Sequence, residues 1–423
     1  MLQVGFIRDH KEEVISRLSK RIDDPEKIVN DILSLDISRR DTQTQLDNIS
    51  SELNIISKEI GILFKSGQSK KATVLKQKTQ DLKEQKSVLT KLLNNTTTNL
   101  NNLLYKTPNL PHSLVPKGNS DKDNEEVFRS GKNPDLNDDA LPHWDLAKKF
   151  DIIDFELGNK ITGAGFPVYK GKGARLQRAL INYFLDKNTK AGYDEIQVPH
   201  LVNEASGLGT GQLPDKEGQM YYVQADDLYL IPTGEVPATN IFRGVIFKSN
   251  ELPRKLTTYT PCFRREAGSY GAHVRGLNRL HQFDKVEILR VEHPSKSYKA
   301  LESMVNHVKE ILNELKLPYR ILRLCSGDLG FTSALTYDFE VYSAAQKRWL
   351  EVSSVSNFET FQSNRLKLRF KNSDGKSQLA HTLNGSALAL PRILAGILEN
   401  YQTNSGIKIP EVLIPYTGFE SIN

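Results

Sequence analysis

Along the first hundred residues apolar side chains recur at alternating steps of four and three, the strongest periodic signal in the chain. Ile28, Ile32 and Leu35 open the series, and Leu46, Ile49, Leu53, Ile56, Ile60 and Leu63 continue it, with Arg39 and Thr42 as interruptions. Turn residues break the pattern at Ser66, Gly67, Gln68 and Ser69. It resumes at Leu75, Leu82, Leu89, Leu93, Leu100 and Leu103, with Thr79, Lys86 and Thr96 filling the gaps. Such a heptad seam predicts two helices of about 35 residues, spanning about 27–104 and folding back as an antiparallel coiled coil roughly 50 Å long.

Beyond the seam the pattern changes twice. Pro108, Pro111 and Pro116 stop helices, and the stretch to Asp139 is polar, so 1–110 reads as one domain and 111–140 as a linker and exposed polar loop without chemistry. From about Leu141 helical and strand-like text alternates through 423. Arg175 to Lys190 places Leu176, Leu180, Ile181 and Phe184 on one helical face. Strand candidates follow at 193–202, 220–224, 228–233, a hairpin between 257 and 291, 319–326, 337–344 and 348–357. Adjacent hairpins predict an α+β fold, an antiparallel sheet flanked by helices, rather than a doubly wound parallel sheet.

Composition and charge narrow the field. The chain has 423 residues, enough for two or three domains, with 38% hydrophobic content. Its net charge is +6, and a window of the arm carries an equal excess. Lys58, Lys65, Lys70, Lys71, Lys76, Lys78, Lys83, Lys86 and Lys91 face only Glu59, Asp81 and Glu84 there. Clustered ammonium groups gain by releasing counterions from a phosphate backbone, although a scaffold or dimerisation coil is the alternative reading of the arm. Cys262 and Cys325 form no CxxC pattern, which argues against zinc and disulfides and for a reducing, cytoplasmic compartment. Neither a signal-like N-terminus nor an apolar run of roughly 18 residues occurs, so no membrane association is expected. GxxxxGK[ST] and GxGxxG phosphate loops are also absent.

The hairpin carries the chemistry. It reads TTYTPCF, then RREAGSYGAHVRGLNR, then LHQFDKVEILRV. The whole segment resembles motif 2 of the class II aminoacyl-tRNA synthetases, in the wording of the seryl-tRNA synthetases. YDEIQVPH at 193–200 resembles their motif 1, a strand at the dimer interface. TLNGSALALPRILAGILENYQ at 382–402 resembles motif 3, a strand, a turn and an apolar helix, with Pro391 suited to its first turn. PTGEVP at 232–237 resembles the family's serine-binding TxE loop, a turn held by two prolines, and RWLEVSSVSN its EISSVSN strand. Arg265, Ala387 and Pro391 depart from the family pattern.

Roles follow from the resemblance. It implies that Thr233, Gly234, Glu235, Glu287 and Ser386 bind L-serine together with Arg264. ATP would be held by Arg264, Arg265, Glu266, Arg279, Phe283, Glu351, Val352, Ser353, Ser354 and Arg392. Arg264 would hold the α-phosphate, Glu266 the adenine amino group and Arg279 the γ-phosphate, with the adenine between Phe283 and Arg392. Bringing a carboxylate to a phosphate joins two anions, which a fixed bidentate guanidinium stabilises. Arg264, Arg392 and Glu351 are thus the catalytic candidates, and Glu351 and Ser354 the candidate Mg2+ ligands. Strict strand alternation would put Glu351 with Ser353 and leave Ser354 on the other face, unless the strand bulges. Glu287 has an alternative as a surface-strand carboxylate paired with Lys285 or Arg290, and Arg275 could order the loop or contact the tRNA acceptor end.

The resemblance further implies a homodimer that forms seryl-adenylate from serine and ATP and charges tRNA(Ser), leaving tRNA(Sec) open as a second acceptor. Its arm would reach across to a tRNA on the other subunit through Lys58, Lys65, Lys70, Lys71, Lys76 and Lys78. Two rivals stand beside this reading. An amino-acid:carrier-protein ligase would lack the basic arm, and a non-catalytic paralogue would lack Arg264, Glu287 or Arg392. All four features are present.

Overall fold

The computed structural model describes residues 1–136, 139–215, 218–266 and 274–423. They divide into two compact units, 2–108 and 109–423, the latter joined by Met1. The first unit is dominated by α1 (Pro25–Lys65) and α2 (Ser69–Lys106). Asp24 caps α1 by accepting from the Lys27 N–H at 3.1 Å, and Pro25 sits in its first turn. Gly67, with φ of 74°, supplies the left-handed step of the reversal. Val29, Ile32, Leu46 and Ile56 of α1 and Ala72, Leu82, Leu100 and Leu104 of α2 are buried. Thr42 and Thr96 are buried with them and therefore belong to the seam. The Thr42 hydroxyl donates to the Ser38 carbonyl at 2.8 Å, which satisfies it inside an apolar contact. Arg39 marks a second polar layer, where buried Asp36 accepts from Arg39 at 2.8 Å and from Arg8 at 3.0 Å.

The second unit is built on an eight-stranded sheet. Its elements in chain order are β1 (Glu125–Ser130), α3 (His143–Lys149), α4 (Gly171–Lys190), β2 (Asp194–Glu195), α5 (Glu235–Asn240), β3 (Arg254–Phe263), β4 (Gln282–Glu292), α6 (Ser297–Glu314), β5 (Tyr319–Arg323), β6 (Leu335–Ser343), β7 (Arg348–Asn357), β8 (His381–Ala389) and α7 (Leu390–Asn400). The strand order is β1-β5-β6-β7-β8-β4-β3-β2. Every neighbouring pair is antiparallel except β2 with β3. This is the α+β architecture the hairpin pattern predicts.

Leu176, Leu180 and Phe184 of α4, Leu301, Met304, Val308 and Ile311 of α6, and Ile393, Leu394 and Ile397 of α7 share one core with the sheet. Val286 and Ile288 of β4 join that core. By the two-residue period of a strand, Phe283, Lys285 and Glu287 face the other way. One strand thus buries aliphatics on one face and the charged Lys285 and Glu287 on the other.

Four sequence expectations need correction. The polar stretch read as exposed loop contains β1, which pairs with β5. Charge rather than hydrophobic alternation holds this edge strand, through Arg323 with Glu125 and Arg320 with Glu126, while Arg129 and Arg320 lie over the Trp349 ring. The motif 1 stretch is not one long strand, since only 194–195 and 201–202 pair. The two-proline turn at 232–237 instead enters α5, a short helix that begins at Glu235 and contains Pro237. The turn expected in motif 3 does not form, because β8 ends at Ala389 and α7 starts at the next residue, with Pro391 in its first turn where a missing donor costs nothing.

Candidate active site

Segment 232–235, the β3–β4 hairpin, β7, β8 and the start of α7 enclose a cavity of about 470 Å3. Thr233, Glu235, Arg264, Glu266, Arg279, Phe283, Glu351, Val352, Ser353, Ser354, Ser386 and Arg392 line it. Glu287 is fully buried just behind that lining, opposite Ser386 across the β4–β8 ladder. Gly234 lies tight against β3, where an added Cβ would meet Thr260 Oγ1 at 3.0 Å. Arg265, also expected at the nucleotide, is exposed and does not line the cavity. Just beyond the end of β3 its backbone N–H donates to the Gln219 carbonyl at 2.8 Å, and the next residue, Glu266, takes a left-handed φ of 48°. The middle of the hairpin turn, 267–273, lies outside the described residues.

At one end the cavity is a cradle of buried polar groups. Glu287 accepts from the Thr233 hydroxyl at 2.9 Å and from Asn384 Nδ2 at 2.7 Å, and it is ion-paired with Lys285. Lys285 also donates to Thr233 Oγ1 at 3.0 Å. The surface-carboxylate alternative for Glu287 therefore fails on burial, although its Lys285 partner is real, and Arg290 pairs with Glu292 instead. Glu235 accepts from Gln362 Nε2 at 2.6 Å, and Gln362 in turn accepts from the Thr382 hydroxyl at 2.7 Å. Burial pushes the Glu235 carboxyl up to about 7, with Glu287 adding to the rise and Gln362, Lys285 and Arg264 opposing it. Two carboxylates, one ammonium and one guanidinium thus lie close together, a charge-balanced setting for a zwitterion.

At the other end the groups suit an anion and a flat ring. The Arg264 guanidinium lies 5.2 Å from the Phe283 ring centre, and its Nε donates to the Pro232 carbonyl at 3.2 Å. Arg392 donates from Nε to the Asn278 carbonyl at 2.9 Å and from Nη1 to the Glu351 carbonyl at 2.8 Å, with the Glu351 carboxylate 3.5 Å away. Glu266 and Arg279, expected at opposite ends of a nucleotide, are ion-paired with each other here. Arg275 lines a neighbouring cavity, over the Trp144 ring at 4.8 Å and 4.0 Å from Asp145.

The question left open by alternation in β7 is answered by its pairing. Glu351 stands opposite Glu340, Ser353 opposite Phe339 and Ser354 opposite Asp338, so Val352 is the extra residue of a β-bulge. Glu340 and Asp338 share a face of β6, and the bulge puts Glu351 and Ser354 on that same face. Ser353 points the other way and donates to the Ser386 carbonyl at 2.5 Å. Beside them Asp338 Oδ1 is buried without a hydrogen-bond partner. Burial, then Glu351, raises the Asp338 carboxyl well above its ordinary value. An orphaned oxygen among carboxylates fits a hard cation with oxygen ligands. Among the described residues no cluster of three His, Cys, Asp or Glu side chains forms a closed metal site, and both cysteines are buried and free.

Sequence reasoning missed Gln362, Asn384 and Asp338, and offers Lys285 only as one alternative partner of a surface Glu287, not as a cavity residue. Lys285 was accessible as the position between Phe283 and Glu287 on the same strand face. The other three come from distant elements and carry no local signal.

In the arm, Lys58, Lys65, Lys70, Lys71, Lys76 and Lys78 are all exposed. Lys78 pairs with Glu52 at 2.7 Å, and Lys76 lies over the Phe64 ring. No helix among the described residues is long and apolar enough to cross a membrane.

Comparison with known proteins adds a family. Residues 1–111 match the model of the seryl-tRNA synthetase N-terminal domain, and 221–401 that of the class II tRNA synthetase core domain (G, H, P, S and T). The serine–tRNA ligase of Salinibacter ruber is 48% identical over 425 residues, covering 100% of this chain and 99% of its own length. The chain belongs to the seryl-tRNA synthetase family. Within the seryl-tRNA synthetases, the serine–tRNA ligase of Thermotoga maritima is 45% identical, with 100% of both chains covered. A solved seryl-tRNA synthetase from Pyrococcus horikoshii, complexed with ATP, superposes with a TM-score of 0.91 at 32% identity, covering 100% of this chain and 99% of that one. The cytoplasmic serine–tRNA ligase of Naegleria fowleri, in complex with AMP, gives 0.87 at 26% identity over the same shares.

Proposed function

We propose that this chain activates L-serine with ATP to seryl-adenylate and pyrophosphate, then transfers the seryl group to the 3′ end of tRNA(Ser). One observation carries the reading in this family: a buried Glu287–Thr233–Lys285 cradle opens into the same cavity as Arg264 and Arg392, which come from distant stretches of chain. Glu287, Glu235 and Thr233 hold the serine ammonium, and Ser386 meets its hydroxymethyl group. Arg264 spans the serine carboxylate and the α-phosphate. The carboxylate oxygen attacks the α-phosphorus, the bond to the bridging oxygen breaks, and pyrophosphate leaves; the guanidinium offsets the charge gathered there. Phe283 and Arg392 take the two faces of the adenine. Opening of the Glu266–Arg279 pair frees Glu266 for the adenine amino group and Arg279 for the γ-phosphate.

Glu351 and Ser354, with Asp338 behind them, would hold Mg2+, which when bound supplies charge neutralisation on the phosphates. Serine is preferred to alanine because alanine leaves the buried polar groups that meet the hydroxyl, Ser386 among them, unpaired, a discrimination on the order of 10⁴; threonine is excluded sterically, and less strongly. The exposed lysines of the arm bind tRNA phosphates, recognising double-helical RNA by shape and backbone. The enzyme acts as a homodimer in a reducing cytoplasm, where two free cysteines are stable. Pyrophosphate exchange across a panel of amino acids tests the reading. Serine alone should support exchange, and exchange with another amino acid at equal efficiency refutes it.

A further inference from the structure

Behind the nucleotide end of the cavity, five residues close a ring of hydrogen bonds that no motif describes. Leu277, just past the hairpin turn, is buried, and its N–H donates to His143 Nε2 at 2.8 Å. That N–H is a fixed donor, so Nε2 accepts and the imidazole proton sits on Nδ1. Nδ1 meets Glu399 Oε1 at 2.8 Å, and the same oxygen accepts from the His143 backbone N–H at 3.0 Å. Gln346 Nε2 also donates to Glu399 Oε1, at 2.9 Å, while Gln346 Oε1 accepts from Asn278 Nδ2 at 2.9 Å. Because Asn278 follows Leu277, the circuit is complete.

Two features tie the ring to the cavity. The Asn278 carbonyl accepts from Arg392 Nε at 2.9 Å, and Arg279 is the next residue. Glu399 and Arg392 occupy opposite ends of α7, so one helix grips residues 277–278 at both ends. Gly276 marks how close the fit is: it has φ of 67°, and an added Cβ would lie 2.3 Å from His143 Nε2.

We propose that His143, with its tautomer fixed by Glu399, is a positioning residue that sets where Arg279 and Arg392 meet ATP. The proposal rests on the nucleotide roles given to those arginines above. His143 touches neither substrate and acts only through Leu277 and Asn278. Displacing reacting partners by about 1 Å can cost on the order of 10²-fold in rate, and a slack ring allows such a displacement at the nucleotide end while leaving the serine cradle intact.

The test is serine-dependent pyrophosphate exchange with ATP and serine varied separately. His143→Asn keeps a donor toward Glu399 but loses the acceptor for Leu277, whereas His143→Gln keeps that acceptor. The expected result is a fall in kcat/KM for ATP on the order of 10²-fold in His143→Asn, most of it restored in His143→Gln, with the serine KM unchanged in both. Gln346→Met opens the ring at a half-buried turn rather than in the core, and is expected to lower kcat/KM for ATP roughly tenfold. Wild-type ATP kinetics in Gln346→Met, equal loss in both His143 variants, or a matching loss for serine overturns the proposal. Arg392→Ala, run in parallel, separates the two levels. If it abolishes exchange while Gln346→Met changes nothing, only the ring fails; if it too leaves exchange intact, the nucleotide reading falls.

Discussion

Around the cavity, Glu235, Glu287 and Lys285 are buried, and each is held by named partners at hydrogen-bond distance. In the arm, Lys58, Lys65, Lys70, Lys71, Lys76 and Lys78 stand exposed on helix surfaces. Inside a low-dielectric cradle a charge is effective only in one place, since an unpaired neighbour carries the full cost of its desolvation. On the arm, screening by salt blurs position, and the number of charges facing a polyanion matters more than where any one of them sits. Substitutions in the two regions should therefore fail in different ways.

The sharpest break is expected at Arg264. Arg264→Ala should lower serine-dependent pyrophosphate exchange on the order of 10³-fold, because a charge-stabilising donor is lost where the transition state needs it. Next comes the cradle. Glu287→Gln leaves Lys285 buried without its counter-ion and should raise the serine KM on the order of 10²-fold, measured at saturating ATP. In contrast, replacing Lys65, Lys70, Lys71 and Lys76 together by Ala should spare exchange altogether. That variant should raise the tRNA KM on the order of tenfold and flatten its dependence on salt.

The smallest effect expected is a pH dependence confined to the cradle. Glu235 has its carboxyl pushed up to about 7 from 4.5. Between those values the folded chain holds a proton that the unfolded chain releases. Stability from this group is thus present in acid and lost as pH rises through about 7. Serine binding has the opposite sign, since its ammonium needs the ionised form. The serine KM should rise several-fold as pH falls from 8 to 6, roughly following one proton, and Glu235→Gln should flatten that profile.

How much of this was legible in the sequence follows the same division. The arm could be read because a heptad repeats its instruction every two turns, so Thr42 and Arg39 did not hide the two helices. The site could be read where chemistry is local, as in Arg264, Phe283, Glu287 and Arg392, each set in a recognisable run. What escaped depends on pairing between distant strands. β1 was taken for loop because it is held by Glu125 and Glu126 against arginines of β5, with no apolar alternation to announce it. Periodicity alone would have separated Glu351 from Ser354, and only the bulge at Val352 unites them. Arg265 follows Arg264 in the same run, yet it stands exposed outside the cavity lining, which the run alone does not reveal.

A crystal structure with serine and a non-reactive ATP analogue tests the central claim most directly: that guanidiniums from the hairpin and from α7 converge on one triphosphate beside the serine cradle. The expected result has Arg264 on the α-phosphate, the Glu266–Arg279 pair opened onto the adenine and the γ-phosphate, and Arg392 against the adenine ring opposite Phe283. A nucleotide bound with that ion pair intact and Arg264 still lying over the Phe283 ring contradicts it.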